Sequence, residues 1–309
     1  MKPSISVVVP VFRSEQTLVE LHRRLVDVLD PRSDGLEFIF VDDASGDGSW
    51  EVIRGLAGQD TRVLGLQHSR NYGQHNALLT GVRAARHDII VTLDDDLQNP
   101  PEEIPRLLAL LEEDCDVAYG TPVQEQHGFL RDSASQITKI ALQSAMGAET
   151  ARNTSAFRAF RAVLRNAFTD YHCPYVSLDV LLTWGTTRFG SVMVRHDPRQ
   201  VGVSNYTLGR LILHAFNMVT GFSVLPLQIA SIVGLCFTLL GFGLLAYVLL
   251  TYWLHGSTTS GFPFLASVIS LFSGAQLFAL GIIGEYIARI HVRSMGRPAG
   301  VIRQRIGQH

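Results

Sequence analysis

Asp88-Ile-Ile-Val-Thr-Leu-Asp-Asp-Asp-Leu-Gln98 is a short β-rich run that ends against three consecutive carboxylates. Similar runs precede it at Ile5 to Val9, Leu36 to Val41 and Val63 to Gln67, and the stretches between them, near Glu15 to Leu29, Trp50 to Ala57 and Gln74 to Ala85, are helix-forming. Downstream, Pro101 to Glu113 supplies another helix with proline at its start, followed by a strand at Asp116 to Tyr119. Strand alternating with helix predicts an α/β domain, a mostly parallel Rossmann-like sheet with helices on both faces.

In an open sheet of this kind ligands occupy the crevice beyond the carboxyl ends of the strands. The acids fall there: Asp42 and Asp43 end the second run, and Asp94, Asp95 and Asp96 end the fourth. Two carboxylate groups distant in sequence therefore converge on one site. Adjacent carboxylates repel, a cost that a bound cation relieves. If the segment stays extended, Asp94, Asp96 and Gln98 point one way and Asp95 the other. Oxygen ligands of that kind suit Mg²⁺ or Mn²⁺, which keep several waters and share positions with substrate phosphates. The alternative is that the acids serve the positive end of the helix beginning near Pro101. After the first run stands Val9-Pro-Val-Phe-Arg-Ser14, and the chain has neither G-x-G-x-x-G there nor a P-loop anywhere, so dinucleotide dehydrogenases and P-loop NTPases fit poorly.

The chain has 309 residues, 47% of them hydrophobic and 17% charged, enough for one large domain and a further part. A formal charge of -2 argues against nucleic acid as a partner. Cys115, Cys173 and Cys236 are far apart, without C-x-x-C spacing, which fits a reducing compartment. Met1 to Phe12 reads as a first strand rather than a signal peptide. From residue 211 to residue 284 there is no Asp, Glu, Lys or Arg. Within that gap, residues 227–253 and 262–287 are apolar runs longer than the ~20 residues needed to cross a bilayer as a helix. His255-Gly-Ser-Thr-Thr-Ser-Gly261 joins them as a polar turn, flanked by Tyr252, Trp253 and Phe262, so a transmembrane hairpin is expected. Arg289, Arg293, Arg297, Arg303 and Arg305 follow it, which by the positive-inside rule puts the C-terminus, and with it the N-terminal domain, in the cytoplasm. The expected protein is thus a multi-pass protein of the cell (inner or plasma) membrane. A buried helical hairpin in a soluble protein is the competing reading. Tyr206 to Gly221 mixes polar and apolar residues like a helix lying on a membrane surface, or one packed on the soluble domain. The expected boundaries are 1–205 for the catalytic domain, 206–225 for the interfacial helix, 226–290 for the spans and 291–309 for a basic tail. Gly274, Gly281 and Gly284 permit close packing of spans, compatible with a homo-oligomer.

Four segments, Val7-Val-Val-Pro-Val-Phe12, Val41-Asp-Asp-Ala-Ser-Gly-Asp47, Arg70-Asn-Tyr-Gly73 and Leu93-Asp-Asp-Asp-Leu-Gln-Asn-Pro-Pro-Glu102, together resemble family 2 glycosyltransferases of the GT-A fold. Arg199-Gln-Val-Gly-Val-Ser-Asn-Tyr206 and the two spans resemble its polyprenyl-phosphate sugar transferases, of the dolichyl-phosphate mannose synthase, undecaprenyl-phosphate aminoarabinose transferase and bactoprenol glucosyltransferase types. The resemblance implies that Pro10, Val11, Glu15 and Asp42 line the base and ribose of a nucleotide-sugar donor, with Asp95 near the ribose or sugar. It implies that Asp94, Asp96 and Gln98 hold Mg²⁺ or Mn²⁺ on the diphosphate, and that Arg131, Ser135, Arg199 and Ser204 face the acceptor phosphate or the diphosphate, Asp96 and Arg199 being the catalytic pair. Three positions depart from the family pattern. Asn153 stands where an acid usually precedes a segment like Thr154-Ser-Ala-Phe-Arg158, Gln74 stands where Lys is usual, and Pro122 lies where an arginine is often found. With no acid at 153, Asp179 is an alternative base, although a lone acid in Val176-Ser-Leu-Asp-Val180 also reads as structural. The implied activity is inverting transfer of a sugar to a polyprenyl-phosphate lipid at the membrane, with a downstream flippase expected by analogy. Direct transfer to a glycan or glycerolipid, or a non-catalytic nucleotide-sugar-binding membrane adaptor, are the alternatives; Q-x-x-R-W, usual in processive synthases, is absent.

Overall fold

The computed structural model describes residues 2–113, 115–122, 153–172, 177–198, 225–255 and 261–307. The chain forms two compact units, residues 1–215 with 296–309, and residues 216–295.

The first unit is built on the expected alternation. Strands β1 (Ser4–Val11), β2 (Gly35–Asp42), β3 (Val63–His68) and β4 (Ile89–Thr92) are separated by helices α1 (Leu18–Leu29), α2 (Ser49–Gln59) and α3 (Gln74–Ala84). After β4, a 3-10 turn at Pro101–Glu103 leads into α4 (Ile104–Glu113), and then follow β5 (Val117–Pro122), β6 (Arg158–Arg161), α5 (Leu178–Thr183) and β7 (Phe189–Val194). Among the described residues the sheet has eight strands in the order β7-β5-β6-β4-β1-β2-β3-β8, where β8 is Ile302–Ile306. β4, β1, β2 and β3 are mutually parallel, as are β5 and β7, while β6 and β8 run antiparallel to their neighbours.

Side chains alternate across the strands, and each face has its own core. Ile5, Val7, Val9 and Val11 of β1 pack with Leu21 and Leu25 of α1, Ile53 of α2 and Leu107 of α4. Val8 turns to the other face, among Leu78, Leu79 and Val82 of α3 and Leu181 of α5. α3 lies close because Gly81 has no Cβ; one added there would collide with Val8. Its N-terminus is thereby pinned beside the carboxyl ends of the central strands.

The segment 291–309, expected as a basic tail, instead contributes β8. Gly65 pairs with Ile306, Leu66 with Arg305, Gln67 with Gln304 and His68 with Ile302. Alternate arginines make this strand read as a tail, yet Gln304 accepts the Trp50 indole N–H at 2.9 Å and Ile306 packs on the first core.

Among the described residues the second unit consists of α6 (Leu225–His255) and α7 (Phe262–Ser294). Pro226–Leu254 and Leu271–Ser294 are long and apolar enough to cross a membrane, with mean hydropathies of 2.4 and 1.4 and none of their apolar windows buried. Phe242, Trp253 and Leu277 are exposed, whereas Phe237 and Phe272 meet edge to face at 5.9 Å, Gly241 leaving room for the Phe272 ring. Near the end of α7, Glu285 is paired with Arg289 at 2.8 Å. The surface helix expected at 206–221 and most of the polar turn lie outside the described residues.

Candidate active site

The registers bring the predicted residues to one edge. Val11 lies opposite Asp42, and Asp42 opposite Gln67, so the last residues of β1, β2 and β3 form a row, with Pro10 next to it. Asp94–Asp96 leave β4 in the same direction, because β4 runs parallel to β1. The loops after β1, β2 and β4 each hold one non-glycine residue in the left-handed region, Arg13, Ala44 and Leu97, at φ of 59°, 55° and 60°. Backbone of that kind costs roughly 1–3 kcal/mol per residue and gathers where geometry serves a ligand.

Asp42 is fully buried, taking hydrogen bonds from the Ser45 hydroxyl, from the Ser45 N–H at 3.2 Å and from the Gln67 amide at 3.0 Å. Glu15 accepts the Gly48 N–H at 2.8 Å, joining the loop after β1 to the start of α2. Asp43, which the sequence shows only as a second acid, organises the neighbouring loop. Its carboxylate accepts the Tyr72 N–H at 2.9 Å, the Gly73 N–H at 2.7 Å and a contact from buried His68 Nδ1 at 2.7 Å.

The acidic triplet does not stay extended. β4 ends at Thr92 and the backbone turns through Asp95 and Asp96, so strict alternation is not the reason their side chains diverge. Asp94 accepts the Gln74 amide at 2.6 Å, which puts a neutral donor where the family pattern has Lys. Asp95 turns back to the Phe12 N–H at 3.0 Å, while the Thr17 hydroxyl holds its carbonyl at 2.6 Å. Burial pushes the Asp95 carboxyl up to about 6, with Asp96 adding to the rise and the Ser14 hydroxyl and Phe12 N–H opposing it. Asp96 accepts the Gln98 N–H at 3.1 Å. The Gln98 amide lies 3.4 Å from His196 Nε2, and the other nitrogen of that ring is 3.3 Å from Asn99. His196 follows β7, a strand that local pattern did not reveal, so sequence reading missed it.

Among the described residues no three His, Cys, Asp or Glu side chains form a metal cage. Asp94, Asp96 and Gln98, the residues expected to hold a cation, would offer two carboxylates and an amide. That set fits a hard cation that keeps waters and takes diphosphate oxygens, as Mg²⁺ and Mn²⁺ do.

Asp179 is committed elsewhere. It is ion-paired with Arg158, which is 1% exposed, and accepts the Tyr119 hydroxyl at 3.0 Å. Burial and the Asp179 charge hold the Tyr119 hydroxyl well above its usual range, so it remains a donor. These contacts give Asp179 a structural role in the core. Asn153 presents its carbonyl to the Thr121 hydroxyl at 3.4 Å. Arg131, Ser135, Arg199 and Ser204 lie outside the described residues.

Residues 6–172 match the family model described as Glycosyl transferase family 2. Over 306 residues the chain is 32% identical to the undecaprenyl-phosphate 4-deoxy-4-formamido-L-arabinose transferase of Yersinia pseudotuberculosis serotype O:3 (strain YPIII), covering 98% of this chain and 94% of the relative. The protein of the same name from Serratia proteamaculans (strain 568) is 33% identical over 307 residues, with the same coverage. Among solved structures, glucosyl-3-phosphoglycerate synthase from Mycobacterium tuberculosis in complex with Mn²⁺, UDP-glucose and phosphoglyceric acid is similar at a TM-score of 0.51 and 20% identity, over 71% of this chain and 78% of that one. Mannosyl-3-phosphoglycerate synthase from Rubrobacter xylanophilus has a TM-score of 0.51 at 15% identity, over 70% of this chain and 72% of that one. At such identities these two structures share the fold.

Proposed function

This chain belongs to glycosyl transferase family 2, and we propose that it transfers a sugar from a nucleotide-sugar donor to a polyprenyl phosphate at a membrane, with a divalent cation at Asp94, Asp96 and Gln98. The observation that carries the reading is one chain holding both a sheet edge where Asp42 and Asp94–Asp96 come together and two exposed apolar helices of membrane-spanning length. The relatives are named for undecaprenyl phosphate, and a structural neighbour was crystallised with Mn²⁺ and UDP-glucose, which supports donor and acceptor alike.

In this reading Pro10, Val11, Glu15 and Asp42 receive the base and ribose, and Asp95 lies near the ribose or sugar. The cation supplies charge neutralisation for the departing diphosphate. Gln74 orients Asp94 by the hydrogen bond at 2.6 Å, and Arg131, Ser135, Arg199 and Ser204 face the acceptor phosphate or the diphosphate, Asp96 and Arg199 being the catalytic pair. A phosphate monoester with a second pKa of about 6 is mostly dianionic at neutral pH, so Asn153 in place of an acid does not stop the reaction. A phosphate oxygen attacks the anomeric carbon as the bond to the diphosphate breaks; the electron pair leaves with the nucleoside diphosphate, and the anomeric configuration inverts. A prenyl tail leaves the bilayer at a cost of about 0.8 kcal/mol per methylene, so the catalytic unit works at the membrane face. Residues before and after the hairpin belong to one compact unit, which supports an even number of crossings. The run of arginines after it supports the cytoplasmic side.

The test is to incubate the purified protein with Mn²⁺ or Mg²⁺, a panel of labelled nucleotide sugars and polyprenyl phosphate. Label should pass into a lipid cleaved by mild acid. Transfer only to glycan or neutral lipid, or tight nucleotide binding with no transfer, would reverse the reading. Asp96→Ala should stay folded and lose metal-dependent nucleotide binding by calorimetry; unchanged binding would remove the cation from this position.

A further inference from the structure

The chain that follows α7 comes back to β3 and α3. Ala299 is buried in the core on the α3 face, and Val301 accepts the Ser69 N–H through its carbonyl at 2.8 Å. Between them Gly300 lies directly against His68 and Thr80. A Cβ at Gly300 would stand 2.8 Å from His68 Nε2 and 2.9 Å from Thr80 Oγ1, closer than such atoms approach. His68 is itself buried between Thr80, 3.0 Å from Nε2, and Asp43, 2.7 Å from Nδ1.

From His68 the contacts run to the donor side. Asp43 holds the Tyr72 and Gly73 N–H groups, Gly73 takes a φ of 93° at the start of α3, and the next residue, Gln74, holds Asp94. The strand register is irregular between Gln67 and His68, where the returning segment meets β3. Moving Gly300 and Val301 therefore moves His68 and Ser69, and through Asp43 the loop that presents Gln74 to Asp94.

We propose that Pro298–Ile306 is a positioning strap for the donor site, with Gly300, Val301 and His68 as the positioning residues that set the Ser69–Gly73 loop and hence Asp94. The proposal rests on the reading of the crevice as the nucleotide-sugar site. None of these residues touches the reacting atoms. Their effect is on how well Asp94 is placed for the donor.

The full-length protein in lipid nanodiscs carrying Gly300→Val tests this, with Val28→Ala in α1 as a destabilised control away from the strap. Gly300→Val should raise the KM for the nucleotide sugar roughly tenfold, as loss of a supporting shell does, and leave the KM for polyprenyl phosphate unchanged. Val28→Ala should lower Tm and change neither KM. Hydrogen exchange at Tyr72 and Gly73 should quicken in Gly300→Val and not in the control. A fall in Tm with both KM values and both amides unchanged would overturn the strap, as would parallel rises in the two KM values. If the wild-type protein binds no nucleotide sugar, the functional reading fails by itself, and the exchange rates at Tyr72 and Gly73 still decide the strap.

Discussion

The carboxyl of Asp95 faces the Phe12 N–H and lies beside Asp96, and burial carries it up to about 6. Because the folded-state value lies above the unfolded one, the folded protein binds the proton more tightly, and the associated stability is present below about pH 4 and lost as pH rises through about 6. The full shift corresponds to about 3 kcal/mol, an upper bound. In chelator, Asp95→Asn should raise Tm at pH 8, and the gain should shrink toward pH 4 in a thermal unfolding series. A gain that is the same at every pH would show that the carboxyl does not titrate as described. A cation held by Asp94 and Asp96 favours the charged form, so saturating Mn²⁺ should reduce the difference at pH 8.

At the scale of elements, Asp179 of α5 is tied to Arg158 of β6 and to Tyr119 of β5, so three elements share one buried charge pair. Removing one partner of a buried pair leaves the other charge uncompensated and costs about 3–5 kcal/mol. Asp179→Ala should therefore lower stability by that order in denaturant unfolding. Asp179→Asn, assayed at a temperature where it is folded, should keep most of its kcat. Full stability with lost kcat would instead return Asp179 to the role of base. The pair also bears on what was legible. Val176-Ser-Leu-Asp-Val180 reads as a lone acid, and the partner that explains it stands 21 residues upstream on a strand with no period of its own.

For the whole molecule, a hairpin between two parts of one sheet unit constrains topology. Asp197 and Gly296 both belong to that unit, so a tag at the C-terminus should share the side of the N-terminal domain, and a tag inserted in the turn at 256–260 should lie on the other. Protease protection in sealed vesicles reads this directly. Equal accessibility of the two tags would rule out a spanning hairpin. The protein should also stay with membranes through a high-salt wash, since burial of apolar helix is insensitive to screening.

Local order was enough for much of this protein. Period and composition located β1 to β5, α1 to α4 and the two apolar helices, because burial on a sheet face, or a length and composition suited to crossing a membrane, imposes a pattern on neighbouring residues. They also brought Asp42 and Asp94–Asp96 to one edge, because parallel strands end together. Tertiary structure alone decided the rest. Ile302-Arg-Gln-Arg-Ile306 is charged enough to look like a tail until β3 pairs with it, and Gln304 meets Trp50 across 254 residues of chain. Asp43 is one more acid until His68, Tyr72 and Gly73 surround it. Contacts of that kind join residues far apart in the chain, and each partner alone carries no periodic signal of the other.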